Sequence, residues 1–404
     1  MHFTEFKLHP SILDGITSAG YTEPTPIQAQ AIGPVMQGRD VMGLAQTGTG
    51  KTAAFVLPLL NRLRASAPGR VRALIIAPTR ELAEQIHTDI TRLACRTRLR
   101  SATVYGGVGL SPQADQLRGK ADIVVACPGR LLDHIRRGHT DFRALEVLVI
   151  DEADQMFDMG FFPDIRDILR RLPTERQTLL FSATMPAPIR RLADEVLHRP
   201  VTVQVGQTAP AESVRHTIFP VPHPLKTALL LDLLGRTTVA SVLVFTRTKH
   251  RTKHLSEKLC KAGYRAAGLQ GNLSQNRRQA ALEGFRSGKF QILVATDIAA
   301  RGIDVSRISH VVNYDMPDTP EAYIHRTGRT GRMFRRGDAF TLTTGDDAAM
   351  VQAIRRMIAA PIESRKLEGF DYTARPQPNT LEAAATRPPA RRPGTPGRSP
   401  RWRA

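Results

Sequence analysis

Short β-branched runs separated by segments of helical period occupy two long stretches of the chain. In the first, residues 71–76, 122–125, 147–150 and 178–181 are short runs made mainly of β-branched and other apolar residues, which predicts buried strands. Residues 241–245, 291–294 and 310–314 do the same in the second stretch. Between them lie segments such as 80–92 and 249–262, whose apolar residues recur at helical spacing. Strand and helix alternating in this way predict an α/β fold, with parallel sheets covered by helices on both faces. The polar stretch 206–213 is the best interior linker and divides the chain into two α/β domains of similar size. We expect domains at residues 1–206 and 216–370, a linker at 207–215 and a tail at 371–404. No short repeat is visible, so duplication of the two domains cannot be read from the sequence.

A length of 404 residues suits two or three domains, and 41% apolar residues suffice for sizeable cores. The net charge of +20 points to a polyanionic partner, nucleic acid or an acidic membrane surface. Residues 387–404 hold six arginines, five prolines and no acid, which is +6 of that charge. Such a segment cannot bury enough apolar area to offset its ordering entropy, so it reads as a disordered tail. No apolar run approaches the ~20 residues of a membrane span, and residues 1–7 show no leader. Cys95, Cys127 and Cys260 are far apart and never paired as Cys-x-x-Cys, so reduced thiols in a cytosolic protein are expected.

The segment Ala45-Gln46-Thr47-Gly48-Thr49-Gly50-Lys51-Thr52 follows a strand-like run at 40–44 and opens a helical stretch. That is the setting of a phosphate loop, with Ala45 in place of the first glycine of the strict pattern. Glycines let backbone N–H groups point at phosphate oxygens, and the helix N-terminus adds positive potential. Lys51 then reaches the β- and γ-phosphates of ATP, and the Thr52 hydroxyl ligates Mg²⁺. The buried run 147–150 leads into Asp151-Glu152-Ala153-Asp154, placing carboxylates at the C-terminal end of a strand, where open α/β sheets bind ligands. Asp151 fits the Mg²⁺ ligand and Glu152 the base that activates water.

With these residues in place, the chain resembles a DEAD-box ATP-dependent RNA helicase from Phe3 to about Tyr372, and most closely the bacterial RhlE-type branch. The branch rests on the short core and on the ending that runs from Pro361-Ile362-Glu363 to Gly369-Phe370-Asp371-Tyr372. Residues 20–28 resemble the adenine-reading segment, in which Tyr21 stacks on the base, Gln28 binds its edge and Phe3 supports the aromatic. Pro78-Thr79-Arg80, Gly106-Gly107 and Pro128-Gly129-Arg130 resemble the RNA-contacting motifs of the first domain. Ser182-Ala183-Thr184, with Asp154, resembles the motif that links hydrolysis to strand opening. Gln275 with Arg278, Thr296 to Asp304 including Arg301 and Gly302, and His325 to Arg332 match the motifs of the second domain. Cys127 stands where the family usually has Thr, and Thr327 where Ile is common.

The resemblance implies two RecA-like domains in tandem and RNA-dependent ATPase activity that separates short duplexes locally. Arg329 and Arg332 become arginine fingers, with Gly302 and Asp304 reaching the nucleotide from the same side, so hydrolysis awaits domain closure. RNA contacts go mainly to the sugar–phosphate backbone, with little sequence preference and strong salt dependence. The implied setting is a cytoplasmic monomer working in ribosome-assembly or RNA-decay complexes, with no membrane partner. Two other classes share some of these motifs: an ATP-gated RNA clamp with little unwinding, and a DNA-directed helicase or translocase.

Overall fold

A computed structural model describes the chain apart from residues 46–47, 66–68, 120, 206–213, 238–239, 301–307, 331–336, 359–360 and 375–404. Strands β1 (Val41–Leu44), β2 (Ala73–Ile76), β3 (Ser101–Val104), β4 (Ile123–Ala126), β5 (Val147–Ile150), β6 (Gln177–Ser182) and β7 (Val201–Gln204) form the first sheet. The second comprises β8 (Val214–Pro220), β9 (Val242–Phe245), β10 (Ala266–Leu269), β11 (Ile292–Ala295), β12 (His310–Asn313), β13 (Gly337–Thr343) and β14 (Ile362–Ser364). Neighbouring strands are parallel throughout. Their orders are β3-β4-β2-β5-β6-β1-β7 and β10-β11-β9-β12-β13-β8-β14, which correspond strand for strand. The two domains are therefore built alike, a duplication that the sequence pattern hides.

The continuous apolar runs have a simple cause. In β2, Ala73 and Ile75 enter the core under the helices Lys51–Leu63 and Arg80–Leu93, while Leu74 and Ile76 enter the core on the opposite face. Val242 and Val244 of β9 likewise face one core, and Leu243 and Phe245 the other. Each strand is buried on both faces, so no polar alternation survives.

Strands without such runs escape the pattern. In β3, an edge strand, Ser101 and Thr103 are half-exposed, and β10 is the weak run Ala-Ala-Gly-Leu. β13 is central yet carries Thr341 and Thr343, and Thr341 is held by Asn313 Nδ2 at 3.2 Å. The expected linker falls outside the described residues except for Val214 and Arg215, which already open β8. At the other end, Phe370 and Tyr372 pack on the second core, and the Tyr372 hydroxyl accepts the Leu367 N–H at 2.7 Å. The packed domain thus runs past the expected boundary at 370, because this aromatic pair (centroids 4.9 Å apart) has apolar surface to cover. The Arg/Pro-rich stretch 387–404 lies outside the described residues. No helix among the described residues is long and apolar enough to cross a membrane.

Candidate active site between the two domains

The phosphate loop joins β1 to the helix Lys51–Leu63, and its glycines show why they are there. Gly48 and Gly50 have φ of 85° and 93°, and Gly50 is the N-cap. A Cβ at Gly50 would sit 2.5 Å from Gln28 Nε2, so both the backbone angle and the space demand glycine. Gln28 donates from Nε2 to Gly50 O at 3.0 Å and accepts the Thr25 N–H at Oε1, also at 3.0 Å. One amide thus links the segment resembling an adenine reader to the phosphate loop, keeping a proton and a lone pair for a ligand. Tyr21 lies near-parallel to the buried Phe3 ring, 27° between planes and centroids 6.4 Å apart.

Lys51 is buried at the head of its helix, yet its Nζ has no hydrogen-bond partner among the described residues. Thr52 beside it is half-buried, Thr49 lies in the loop, and Gln46 and Thr47 lie outside the described residues. Asp151 and Glu152 follow β5, both buried. Burial holds the Asp151 carboxyl well above the usual carboxylate range; Lys51 opposes this, and the Glu152 and Asp154 charges add to it. A buried ammonium without a partner and a carboxylate disfavoured by burial are the features a Mg²⁺–nucleotide would satisfy. One hydroxyl and one carboxylate, Thr52 and Asp151, suit a cation that completes its shell with water and phosphate oxygens. Glu152 takes a left-handed backbone (φ 55°, ψ 52°), strain that directs the chain into the short helix Ala153–Asp158.

Asp154 is the hub of the site. Its Oδ2 accepts from Ala183 N (3.1 Å), Thr184 N (2.8 Å) and Thr184 Oγ1 (3.1 Å), while its own N–H donates to Ser182 Oγ at 3.3 Å. The same Oδ2 lies 3.7 Å from His325 Nε2 of the second domain. His325 belongs to the helix Pro320–Thr327, whose next residue, Arg326, is buried. Arg326 pairs with both oxygens of Asp297 (2.5 and 2.6 Å) and donates to Asn313 Oδ1 and Asp315 O. Arg329, three residues on, is buried just past that helix. Arg301, Gly302, Asp304 and Arg332 lie outside the described residues.

Some of the remaining motif residues make a second contact between the domains. Arg278 holds Glu81 Oε1 of the first domain from Nε at 3.1 Å and Nη2 at 2.6 Å. A Cβ on Gly107 would come within 4.0 Å of Gln275 Oε1, so these two meet as well. Gln275 Nε2, and Arg80 Nε and Nη1, are buried with no hydrogen-bond partner among the described residues, while Arg80 lies 4.3 Å over the Tyr105 ring. Thr79 caps the helix Arg80–Leu93, accepting the Leu82 N–H at 3.3 Å. Arg130 donates to Val108 O at 2.9 Å and so braces the Gly106-Gly107 turn. Pro128 and Gly129 open the helix Pro128–Arg136, and a Cβ on Gly129 would meet only Asp164 Oδ2 at 3.7 Å. Cys127 is its N-cap and makes no side-chain capping bond; burial pushes its thiol up to about 12. Thr296 donates its N–H to Leu269 O at 3.4 Å, at the C-terminal edge of the second sheet. Motif matching placed Glu81, Asp297 and Arg326 inside motifs but gave none of them a role of its own. Their signal was a charged residue inside a motif whose partner lies far along the chain.

The arrangement is that of a phosphate-loop nucleotide site facing a second, similarly built domain, and comparison with known proteins gives the class. Residues 25–192 match the DEAD/DEAH box helicase family and residues 225–334 the helicase conserved C-terminal domain. Similar proteins include the DEAD-box ATP-dependent RNA helicase CshA of Bacillus subtilis, 41% identical over 370 residues, 91% of this chain and 75% of that protein. RhpA of Helicobacter pylori, a DEAD-box ATP-dependent RNA helicase, is 40% identical over 89% of this chain and 73% of its own length. Saccharomyces cerevisiae Dbp5 bound to RNA and ADP BeF3 superposes with a TM-score of 0.82 at 30% identity, covering 91% of this chain and 95% of that one. The chain belongs to the DEAD-box ATP-dependent RNA helicases.

Proposed function

We propose that this chain hydrolyses ATP when RNA and nucleotide together hold its two domains closed, and that this closure separates short RNA duplexes locally. The observation that carries the reading is Asp154. One carboxylate holds the Ser182-Ala183-Thr184 turn in the first domain, stands two residues from the proposed base Glu152, and faces His325 of the second. A shift in domain position is thereby felt at the hydrolytic carboxylates. Lys51 binds phosphate oxygens, Glu152 takes the proton of the attacking water, and Arg329 stabilises charge on the transferred phosphoryl group. Mg²⁺, held through Asp151 and Thr52, would neutralise charge on the β- and γ-oxygens.

Arg80 and Gln275 atoms with no hydrogen-bond partner among the described residues lie on opposite domains, on the side of the Arg278–Glu81 pair, which supports an RNA backbone path crossing both domains. Steady-state ATPase with and without RNA, run beside a strand-displacement assay, tests the reading. Hydrolysis that RNA leaves unchanged would refute it, and RNA-dependent hydrolysis without displacement would favour a clamp. DNA that stimulates as well as RNA would favour the DNA-directed class. The RhlE-type branch is supported by the short core and residues 361–372 alone; CshA and RhpA relatives at 40 to 45% identity over most of the chain support the broader bacterial reading. Ribosome-assembly or RNA-decay complexes in the cytoplasm are the setting we infer, and crosslinking to cellular RNA identifies the substrate. The basic stretch 387–404 should add RNA affinity by counterion release, and its deletion should flatten the salt dependence.

A further inference from the structure

The likeness of the two domains can be followed into the loop after the first strand of each. β1 ends at Leu44 and the next helix opens with Lys51-Thr52; β8 ends at Pro220 and the helix Lys226–Gly235 opens, after a 3-10 turn, with Lys226-Thr227. The first loop residue is held alike in both. Ala45 N–H donates to Ser182 O at 3.1 Å, and Val221 N–H to Thr343 O at 2.8 Å. Ser182 and Thr343 are equivalent too, each lying beside the last residue of its β1 or β8 neighbour. Lys226 therefore opens the helix that corresponds to the one Lys51 opens, after a loop one residue shorter.

The surroundings differ. Val221-Pro222-His223-Pro224-Leu225 has no glycine, and its prolines remove two N–H groups that a phosphate cradle would use. Leu225 N–H turns back to Pro222 O at 2.9 Å, and the Val221 and Leu225 side chains are buried in the second core. Lys226 Nζ, unlike that of Lys51, is satisfied: it donates to Tyr314 O and Leu342 O, both at 3.0 Å. Tyr314 is the first residue after β12, the place that Asp151 holds after β5.

We propose that Lys226 is a positioning residue, the lysine of a closed second phosphate loop turned inward to hold the ends of β12 and β13 and, through them, the helix that leads to Arg329. The contacts form a short chain. Asp315, next to Tyr314, accepts Arg326 Nη1 at its carbonyl (2.8 Å) and Arg247 N and Arg251 Nη1 at its carboxylate (2.8 and 2.6 Å). Arg326 precedes Arg329 by less than one helical turn. Without the ammonium, two buried carbonyls lose their shared donor and the strand ends are free to shift.

The inference rests on Arg329 acting as the finger. Lys226→Met keeps an unbranched side chain without a donor, and Lys226→Gln keeps a donor. Melting curves establish that each is folded. Lys226→Met should lower RNA-stimulated kcat about tenfold with KM for ATP within about twofold, because the loss falls on the transition state. Lys226→Gln should recover part of that loss, and Arg329→Ala should cost much less in the Lys226→Met background than alone. A fluorescent ATP analogue should bind once per full-length chain. A folded Lys226→Met variant with parental kcat, additive effects of the two substitutions, or two nucleotides per chain would each overturn the proposal. An Arg329→Ala variant with parental kcat would remove the finger reading, while the kcat of Lys226→Met and the stoichiometry would still judge Lys226 independently.

Discussion

The two halves of this molecule share one architecture and treat their polar groups in opposite ways. At the C-terminal edge of the first sheet, an ammonium has no hydrogen-bond partner among the described residues, a carboxylate is buried against its charge, and a glutamate is held in a left-handed backbone. At the matching edge of the second sheet, the equivalent lysine is spent on two carbonyls and the loop is filled with proline and leucine. A nucleotide site is a place where unsatisfied groups are tolerated because a ligand completes them; a structural edge completes itself. In the first domain this lysine is left for a ligand, and in the second it positions strand ends. The second contributes His325, Arg326 and Arg329 from the helix Pro320–Thr327 and the turn just after it.

That contrast can be broken by substitution. The largest effect should come from Lys51→Ala, which removes the proposed phosphate-binding ammonium and should cut ATPase at least about 100-fold, by analogy with losing one preorganised donor. Its melting temperature should be unaffected, because Lys51 Nζ holds nothing in the described structure. Loss of folding in that variant would mean that the two lysines are both structural. Glu152→Gln should bind ATP and RNA but turn over about 10²–10⁴-fold slower, since an amide cannot accept the proton of water. Parental turnover there would withdraw Glu152 as the base.

Smaller effects sharpen the comparison. The His216 ring, buried in β8 with Nδ1 3.0 Å from the Tyr323 hydroxyl, is pushed down to about 4 by burial. An unfolded histidine takes up a proton first, so stability should be fully present above the ordinary histidine range and fall as pH drops from about 6.5 towards 4, by at most about 1.4 kcal/mol per pH unit. His216→Gln should flatten that slope in thermal melts while leaving the first domain alone. An unchanged slope would mean that other groups dominate acid unfolding. Cys127→Thr should have the smallest effect. A threonine at this N-cap can accept a backbone N–H that the thiol does not, which is worth about 0.5–2 kcal/mol of stability. RNA affinity should tighten by a similar or smaller amount, about 0.5–1.5 kcal/mol if one phosphate hydrogen bond is regained. Tighter RNA binding without a rise in melting temperature would assign the hydroxyl to RNA, and the reverse would assign it to the helix.

Much of the site was legible because its chemistry is local. A glycine-rich turn between strand and helix, and a carboxylate pair at a strand end, work through backbone geometry that adjacent residues dictate, so spacing alone reveals them. The buried strands were legible for the same reason: β2, β5, β9 and β11 are covered on both faces and carry unbroken apolar runs. Edge strand β3 and polar β13 were not, since their stability comes from neighbours in space. The partners of Arg278 and Arg326 were likewise hidden. An ion pair between residues 197 positions apart leaves no periodicity to read.

By itself, then, the order of residues determined the α/β class, the phosphate loop, the Asp-Glu-Ala-Asp tetrad and the basic terminal stretch, each a property of neighbours along the chain. Only the tertiary structure decided that the domains are duplicates, that Asp154 faces His325, and that the Lys-Thr pair at 226 has turned inward. Those outcomes depend on which strand ends lie side by side once both sheets are assembled, and a hydrogen bond between distant strands is invisible until its donor and acceptor are within about 3 Å.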